Sequence, residues 1–134
     1  LETTAHIGRQ IIDSGGMAQT IVIDCVTLLV NNILLEYSDI TGEQVDEATA
    51  EKAVLSEIEE LIATINKTRA IFIIVSNEVG LGLVPPNKMS RVYRDLLGRA
   101  NQLLASHADE VYWMVAGIPV RIKPTDSPSN ILRE

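Results

Sequence analysis

Apolar residues follow two rhythms along this chain. From Ala70 to Val75 they run without a break as AIFIIV, and Thr20–Asp24 repeats the theme as TIVID. Short runs of this kind, rich in β-branched side chains and closed by polar residues, predict strands buried on both faces. Elsewhere the apolar positions recur every three or four residues, which predicts helices. Residues 26–37 put Val26, Leu29, Val30, Ile33, Leu34 and Tyr37 on one broad face, to be packed on a sheet or covered by another subunit. Residues 47–67 align Ala53, Val54, Ile58, Leu61, Ile62 and Ile65. Glu47, Glu51, Glu57, Glu59 and Glu60 then form a wet opposite face, with Asp46 as N-cap and Lys67 and Arg69 at the C-terminal end. A third helix starts at Asn87 or Ser90 and reaches about Ser106, striped by Val92, Leu96, Leu97, Ala100, Leu103 and Leu104. Before the first strand, Ala5–Ile12 fits a short helix with Ile7, Ile11 and Ile12 on one side, stopped at Ser14-Gly15-Gly16. After the last helix, residues 110–117 read as a strand. Gly117-Ile118-Pro119 is read as a tight turn, and Val120–Lys123 as an antiparallel return. Polar residues 38–46 connect, and the Pro- and Ser-rich residues 124–134 read as a loosely held tail.

Helices and strands thus alternate. That order predicts an α/β sheet, parallel except for its last strand, with helices over both faces. At 134 residues the chain is about one domain long.

Composition narrows the function classes. Apolar residues make up 46% and aromatics only 4%, so aliphatic side chains must build the core. A formal charge of −7 argues against a nucleic-acid partner, because neutralising phosphates takes clustered Lys and Arg. No apolar run approaches the ~20 residues that span a bilayer. Leu1 is not a natural start, and no secretory signal is visible. The single Cys25 rules out an internal disulfide framework and fits a reducing cytoplasm. Neither a CxxC nor a closely spaced His pair suggests zinc, and the acids Asp39, Glu43 and Asp46 lack EF-hand spacing.

Chemistry is expected where the strands stop, since ligands of open α/β sheets sit at the carboxyl ends of parallel strands. The run Ala70–Val75 breaks into Ser76, Asn77, Glu78, Gly80, Gly82 and Pro85-Pro86, which delivers Asn and Glu into a glycine loop. Asp24 closes the other strand. It suits a Walker-B acid, holding Mg²⁺ or the metal's water beside a nucleotide phosphate. It equally suits a helix cap, and both readings stay open at this point. Arg94 and Asp95 suit anion or amide recognition, or a plain surface ion pair. His6 reads as a surface residue.

The stretch VSNEVGLGLVPPNKMSRVYRDLLGRANQLLASHADEVYWMVAGIPVRIK resembles the carboxyl-terminal part of the adenosylcobinamide kinase / adenosylcobinamide-phosphate guanylyltransferase family. The patterns NEVGxGxVP and RxxxGxxNQxLxxxADEVxxxVxGxxVxIK carry the likeness. Upstream, TIVIDCVTLLVNNIL is similar to the family's strand ending in an acid, a cysteine, and then Thr and Asn on a helix, so the likeness covers most of residues 20–123. It implies a P-loop NTPase-like, RecA-like fold and a role in cobalamin (coenzyme B12) biosynthesis. One implied reaction phosphorylates the aminopropanol hydroxyl of adenosylcobinamide from ATP or GTP. The other passes GMP from GTP to that phosphate through a GMP-histidine intermediate, giving adenosylcobinamide-GDP and pyrophosphate. Splitting one displacement into two in-line steps through an activated carrier is sound chemistry. Mg²⁺ with the nucleotide, a homotrimer and a cytoplasmic location are also implied.

Carried over residue by residue, the resemblance puts Glu2 near the guanine nucleotide. Asp24 becomes the acid at the Walker-B-like strand end, where the family often has the longer Glu. Asn77 and Glu78 would order nucleotide or corrinoid, or else cap backbone groups of their own turn. Gly80 and Gly82 would provide positive φ or close backbone approach, and Cys25 would pack as a small apolar residue.

One departure is large. No GxxxxGK[ST] stands in these residues, and neither His6 nor His107 has the context of the guanylylated histidine. The expectation is a carboxyl-terminal piece, incomplete at its N-terminus and inactive alone. A non-catalytic α/β domain for subunit association and a different P-loop-like nucleotide binder are the alternatives.

Overall fold

The computed structural model describes residues 3–14, 18–39 and 41–124. Helix α1 (Ile7–Asp13) leads to strand β1 (Thr20–Asp24) and helix α2 (Val26–Glu36). Helix α3 (Glu47–Lys67), strand β2 (Ile71–Val75), helix α4 (Lys88–His107) and strands β3 (Val111–Val115) and β4 (Ile118–Lys123) follow. β1 and β2 pair in parallel with Asp24 opposite Val75, while β3 and β4 form an antiparallel hairpin.

The helices form where the apolar stripes put them. Their stripes meet in one core that includes Val26, Val30, Leu34, Val54, Ile58, Leu61, Leu97 and Ala100. Capping fixes two starts. The Asp46 carboxylate accepts the Thr49 N–H at 3.1 Å, and the Asn87 side chain accepts the Ser90 N–H at 2.7 Å. Asn87, not Ser90, therefore opens α4.

Four details depart from the sequence reading. The apolar runs of β1 and β2 predict two covered faces, but the described helices cover one. Ile21, Ile23, Phe72 and Ile74 pack on the core. Val22 (60% exposed), Ile71 (67%) and Ile73 (50%) share the opposite, open face. A continuous apolar run says that both faces avoid water, not what shields each. Second, most of the apolar face of α2 is consumed inside the chain: Val26, Leu29, Val30, Ile33 and Leu34 are buried, leaving Leu28 and Leu35 exposed. That helix is a poor association surface, and exposed apolar area lies instead on the open sheet face and along the β3–β4 hairpin. Third, Glu57 is buried, not wet. Its carboxylate accepts the Ile7 N–H at 2.8 Å at the start of α1, with His6 Nδ1 3.6 Å away. An orphan helix-end donor has drawn an acid inward. Fourth, the hairpin turns at Ala116-Gly117, both with positive φ (51° and 78°), as a two-residue turn of this hand requires. Ile118 and Pro119 already belong to β4, where they pair with Val115 and Met114.

No described helix is long and apolar enough to cross a membrane.

Candidate functional site at the carboxyl edge of β1 and β2

Parallel pairing decides where the polar groups gather. Because Asp24 lies opposite Val75, the ends of both strands open on one rim, and Asn77 and Glu78 follow two and three residues past that register. Sequence reasoning placed Asp24 and the Asn-Glu pair on one edge, and the register puts them there. Helix α2 starts at Val26 with Cys25 as N-cap residue, so Asp24 stays in the strand, exposed, and does not cap the helix. The Cys25 side chain makes no cap, and among the described residues the first-turn N–H groups of α2, which follow Asp24 directly, are open at this rim.

Residues 76 and 77 are held from two sides. The Asn77 N–H donates to Thr27 Oγ1 on α2 at 3.2 Å. On α4, Asn101 Nδ2 donates to the Asn77 carbonyl at 3.0 Å, and the Ser76 hydroxyl donates to Asn101 Oδ1 at 2.6 Å. Tyr93, also on α4, donates its hydroxyl to the Thr27 carbonyl at 3.3 Å. Burial first, and then the neighbouring Cys25, push the Tyr93 hydroxyl above its usual pKa. Thr27, Tyr93 and Asn101 were not singled out from sequence. Their signal was there: Asn101 is the Asn of the NQxL pattern, and Thr27 is the Thr that follows the acid and cysteine.

Beyond Asn77 the loop is self-contained. Glu78 Oε1 accepts the Gly80 N–H at 2.6 Å, so Glu78 caps its own turn. Neither Gly80 nor Gly82 has positive φ, contrary to one expectation. Gly80 does meet the other expectation, close approach, since an added Cβ would lie 2.7 Å from Glu78 Oε1. Gly82 has no such neighbour, only Val79 O at an ordinary 3.6 Å. The loop tip is apolar and open: Leu81, Leu83 and Val84 are all exposed. Arg91 clasps the end of the loop by donating to the carbonyls of Pro85 and Pro86. Arg94 and Asp95 sit 3.9 Å apart as neighbours on α4 and take no part in this rim. Glu2 and the tail from residue 125 lie outside the described residues.

The donor set bears on metal binding. Among the described residues no three His, Cys, Asp or Glu side chains converge, so an all-protein cage is not built here. A lone exposed carboxylate suits Mg²⁺, which keeps several waters and binds through one or two carboxylates plus substrate phosphates. A cleft of about 580 Å³ opens elsewhere, between Thr41–Glu43 and Asn87–Ser90, away from Asp24 and Asn77.

A sequence profile of the cobinamide kinase / cobinamide phosphate guanyltransferase family matches residues 1–122. This chain belongs to that family. It is similar to the bifunctional adenosylcobalamin biosynthesis protein CobU of Escherichia coli K12, with 41% identity over 124 residues, 92% of this chain and 68% of that protein. Against the protein of the same name from Salmonella typhimurium LT2 the identity is 44% over 123 residues, 91% of this chain and 68% of the other. The bifunctional adenosylcobalamin biosynthesis protein CobP of Pseudomonas aeruginosa PAO1 is 32% identical over 125 residues, of which it has 64% of its own length matched. The chain thus spans roughly two thirds of the length of each relative. Membership of the cobinamide kinase / guanyltransferase family makes the chain part of an enzyme family acting on nucleotides, with the P-loop-like α/β fold that the resemblance implies.

Proposed function

We propose that the chain serves cobalamin biosynthesis by handling nucleotide and corrinoid phosphates at the β1–β2 rim. The two reactions are phosphorylation of adenosylcobinamide and GMP transfer from GTP to adenosylcobinamide phosphate. The observation that carries this reading is the shared rim of Asp24 and Asn77, with the uncapped N-terminus of α2 between them. Helix N-termini favour phosphate oxygens through free N–H groups and the helix dipole.

Each group then has a task. Asp24 would hold the Mg²⁺ that accompanies the triphosphate, and the shorter Asp in place of the family's frequent Glu would leave room for a contact through water. The metal, when bound, neutralises charge developing on the phosphoryl oxygens. Asn77 orients nucleotide or corrinoid phosphate from the facing strand end, while Glu78 and Gly80 keep the loop's shape. Leu81, Leu83 and Val84 offer an apolar surface for the methyl-rich face of a corrin ring. Glu2 belongs to the guanine side of the same reading. No GxxxxGK[ST] stands in these 134 residues, so the triphosphate cradle is not among the groups named. Homotrimeric association fits the open apolar sheet face and hairpin, and a cytoplasmic setting fits the free Cys25 thiol.

Competition binding tests the proposal. GTP, ATP and cobinamide phosphate are titrated against the purified protein with Mg²⁺ present. Preference for guanine and for corrinoid phosphate is expected. Equal binding of all nucleotides, with no corrinoid bound, would overturn it.

A further inference from the structure

We propose that Asn101 and Thr27 are positioning residues, which together clamp the Ser76–Asn77 backbone and so aim the Asn77 side chain across the β1–β2 rim. The inference rests on the phosphate-handling reading of that rim and adds the residues that set its geometry.

The argument begins with the exposed position of the segment. Ser76, Asn77 and Glu78 are all exposed and follow the last residue of β2, so no ladder hydrogen bond fixes them. Left alone, such a segment samples many backbone states. Here both main-chain groups of Asn77 are taken, its N–H by Thr27 Oγ1 and its carbonyl by Asn101 Nδ2. Asn101 uses its other amide atom as well, accepting the Ser76 hydroxyl. Its amide orientation is set at the Asn77 carbonyl, because a flipped amide would oppose two acceptors there, whereas the Ser76 hydroxyl can donate or accept.

The clamp also closes on itself. Tyr93 and Asn101 lie on the same helix, about 12 Å apart along its axis at 1.5 Å per residue. Tyr93 holds the Thr27 carbonyl, Thr27 holds the Asn77 N–H, and Asn101 holds the Asn77 carbonyl. Helices α2 and α4 thus become the two jaws, and neither the Thr27 nor the Asn101 side chain needs to touch substrate. Among the described residues the Asn77 side-chain amide takes no hydrogen bond, which leaves it able both to donate and to accept. Holding a substrate-orienting group within a fraction of an ångström matters, since a misplacement of 1 Å costs a rate up to about 100-fold.

The test has a structural arm and a kinetic arm, both on the full-length protein. In the first, amide hydrogen exchange of residues 76–78 is measured without substrate for wild type, Asn101→Ala, Thr27→Val and Thr27→Ser. Faster exchange is expected for the first two variants, with Thr27→Ser recovering most of the protection because it keeps the hydroxyl. In the second, kcat and KM for guanylyl transfer are measured for Asn101→Ala, Asn77→Ala and the double variant. A fall in kcat/KM of up to about 100-fold is expected for Asn101→Ala, and far less when Asn77 is already Ala. Unchanged exchange at residues 76–78, or losses that simply add in the double variant, would overturn the proposal. Failure of the underlying function reads differently: the wild type then lacks guanylyl transfer, while Asn101→Ala still speeds exchange.

Discussion

Replacing Gly8 by Ala sets two local effects against each other, and the structure decides the sign. Ala is favoured over Gly in a helix interior by about 0.8–1.0 kcal/mol, so propensity alone predicts stabilisation. Gly8, however, is a buried residue of α1. An added Cβ would meet Thr64 Oγ1 at 2.7 Å, the Glu60 carbonyl oxygen at 3.0 Å and its carbon at 3.3 Å. Thr64 is only 3% exposed, with little room to turn away, and the Glu60 carbonyl is backbone of α3. Relief therefore requires moving one helix against the other, and overpacking of this kind costs about 1–3 kcal/mol. After the propensity gain, a net loss of up to about 2 kcal/mol remains. Urea unfolding followed by circular dichroism reads this as a lower midpoint at unchanged slope. Thr64→Ala removes the shortest contact, so Gly8→Ala should cost less in that background, with a coupling of about 0.5 kcal/mol or more. A higher midpoint for Gly8→Ala, or an equal cost in both backgrounds, would refute the reasoning.

Three further outcomes are expected. Asn87→Ala removes the side-chain acceptor at the start of α4 and should cost about 1 kcal/mol in urea, whereas Asn87→Asp should restore most of it. Burial raises the Tyr93 pKa in the fold, so its contribution is complete below the unfolded value near 10 and is lost as pH rises through the folded value. Tyr93→Phe should therefore flatten the alkaline fall of the melting temperature, and an unchanged slope would count against the burial argument. Asp24→Asn should raise the Mg²⁺ concentration that half-saturates nucleotide turnover by the full-length protein about 10- to 100-fold, the usual effect of losing an outer-shell partner of a metal. Its melting temperature should hold, since the side chain is exposed.

The sequence is most legible where one element carries its own signal. The stripes of α3 and α4 needed only a period, and Asp46 and Asn87 announced helix starts because capping acts within three residues. The shared rim was legible too, since two short β-branched runs separated by helices pair in parallel and end together. Glu57 was misread because its partner, the Ile7 N–H, lies fifty residues away. The positive-φ alternative failed at Gly80 and Gly82 because glycine permits positive φ without requiring it. Thr27 and Asn101 escaped notice for a similar reason, as a Thr and an Asn on helices look like ordinary surface residues until a distant loop is seen between them.

By itself, then, the order of residues determined which segments coil or extend, which side of each helix turns inward, and which acid and amide end the strands. Those properties depend on neighbours within a few positions along the backbone. Only the folded arrangement decided which sheet face is shielded, which glutamate is drawn inside, and how two helices grip Ser76 and Asn77. Such outcomes depend on groups that meet in space after tens of residues, where one displaced helix would give every polar atom a different partner.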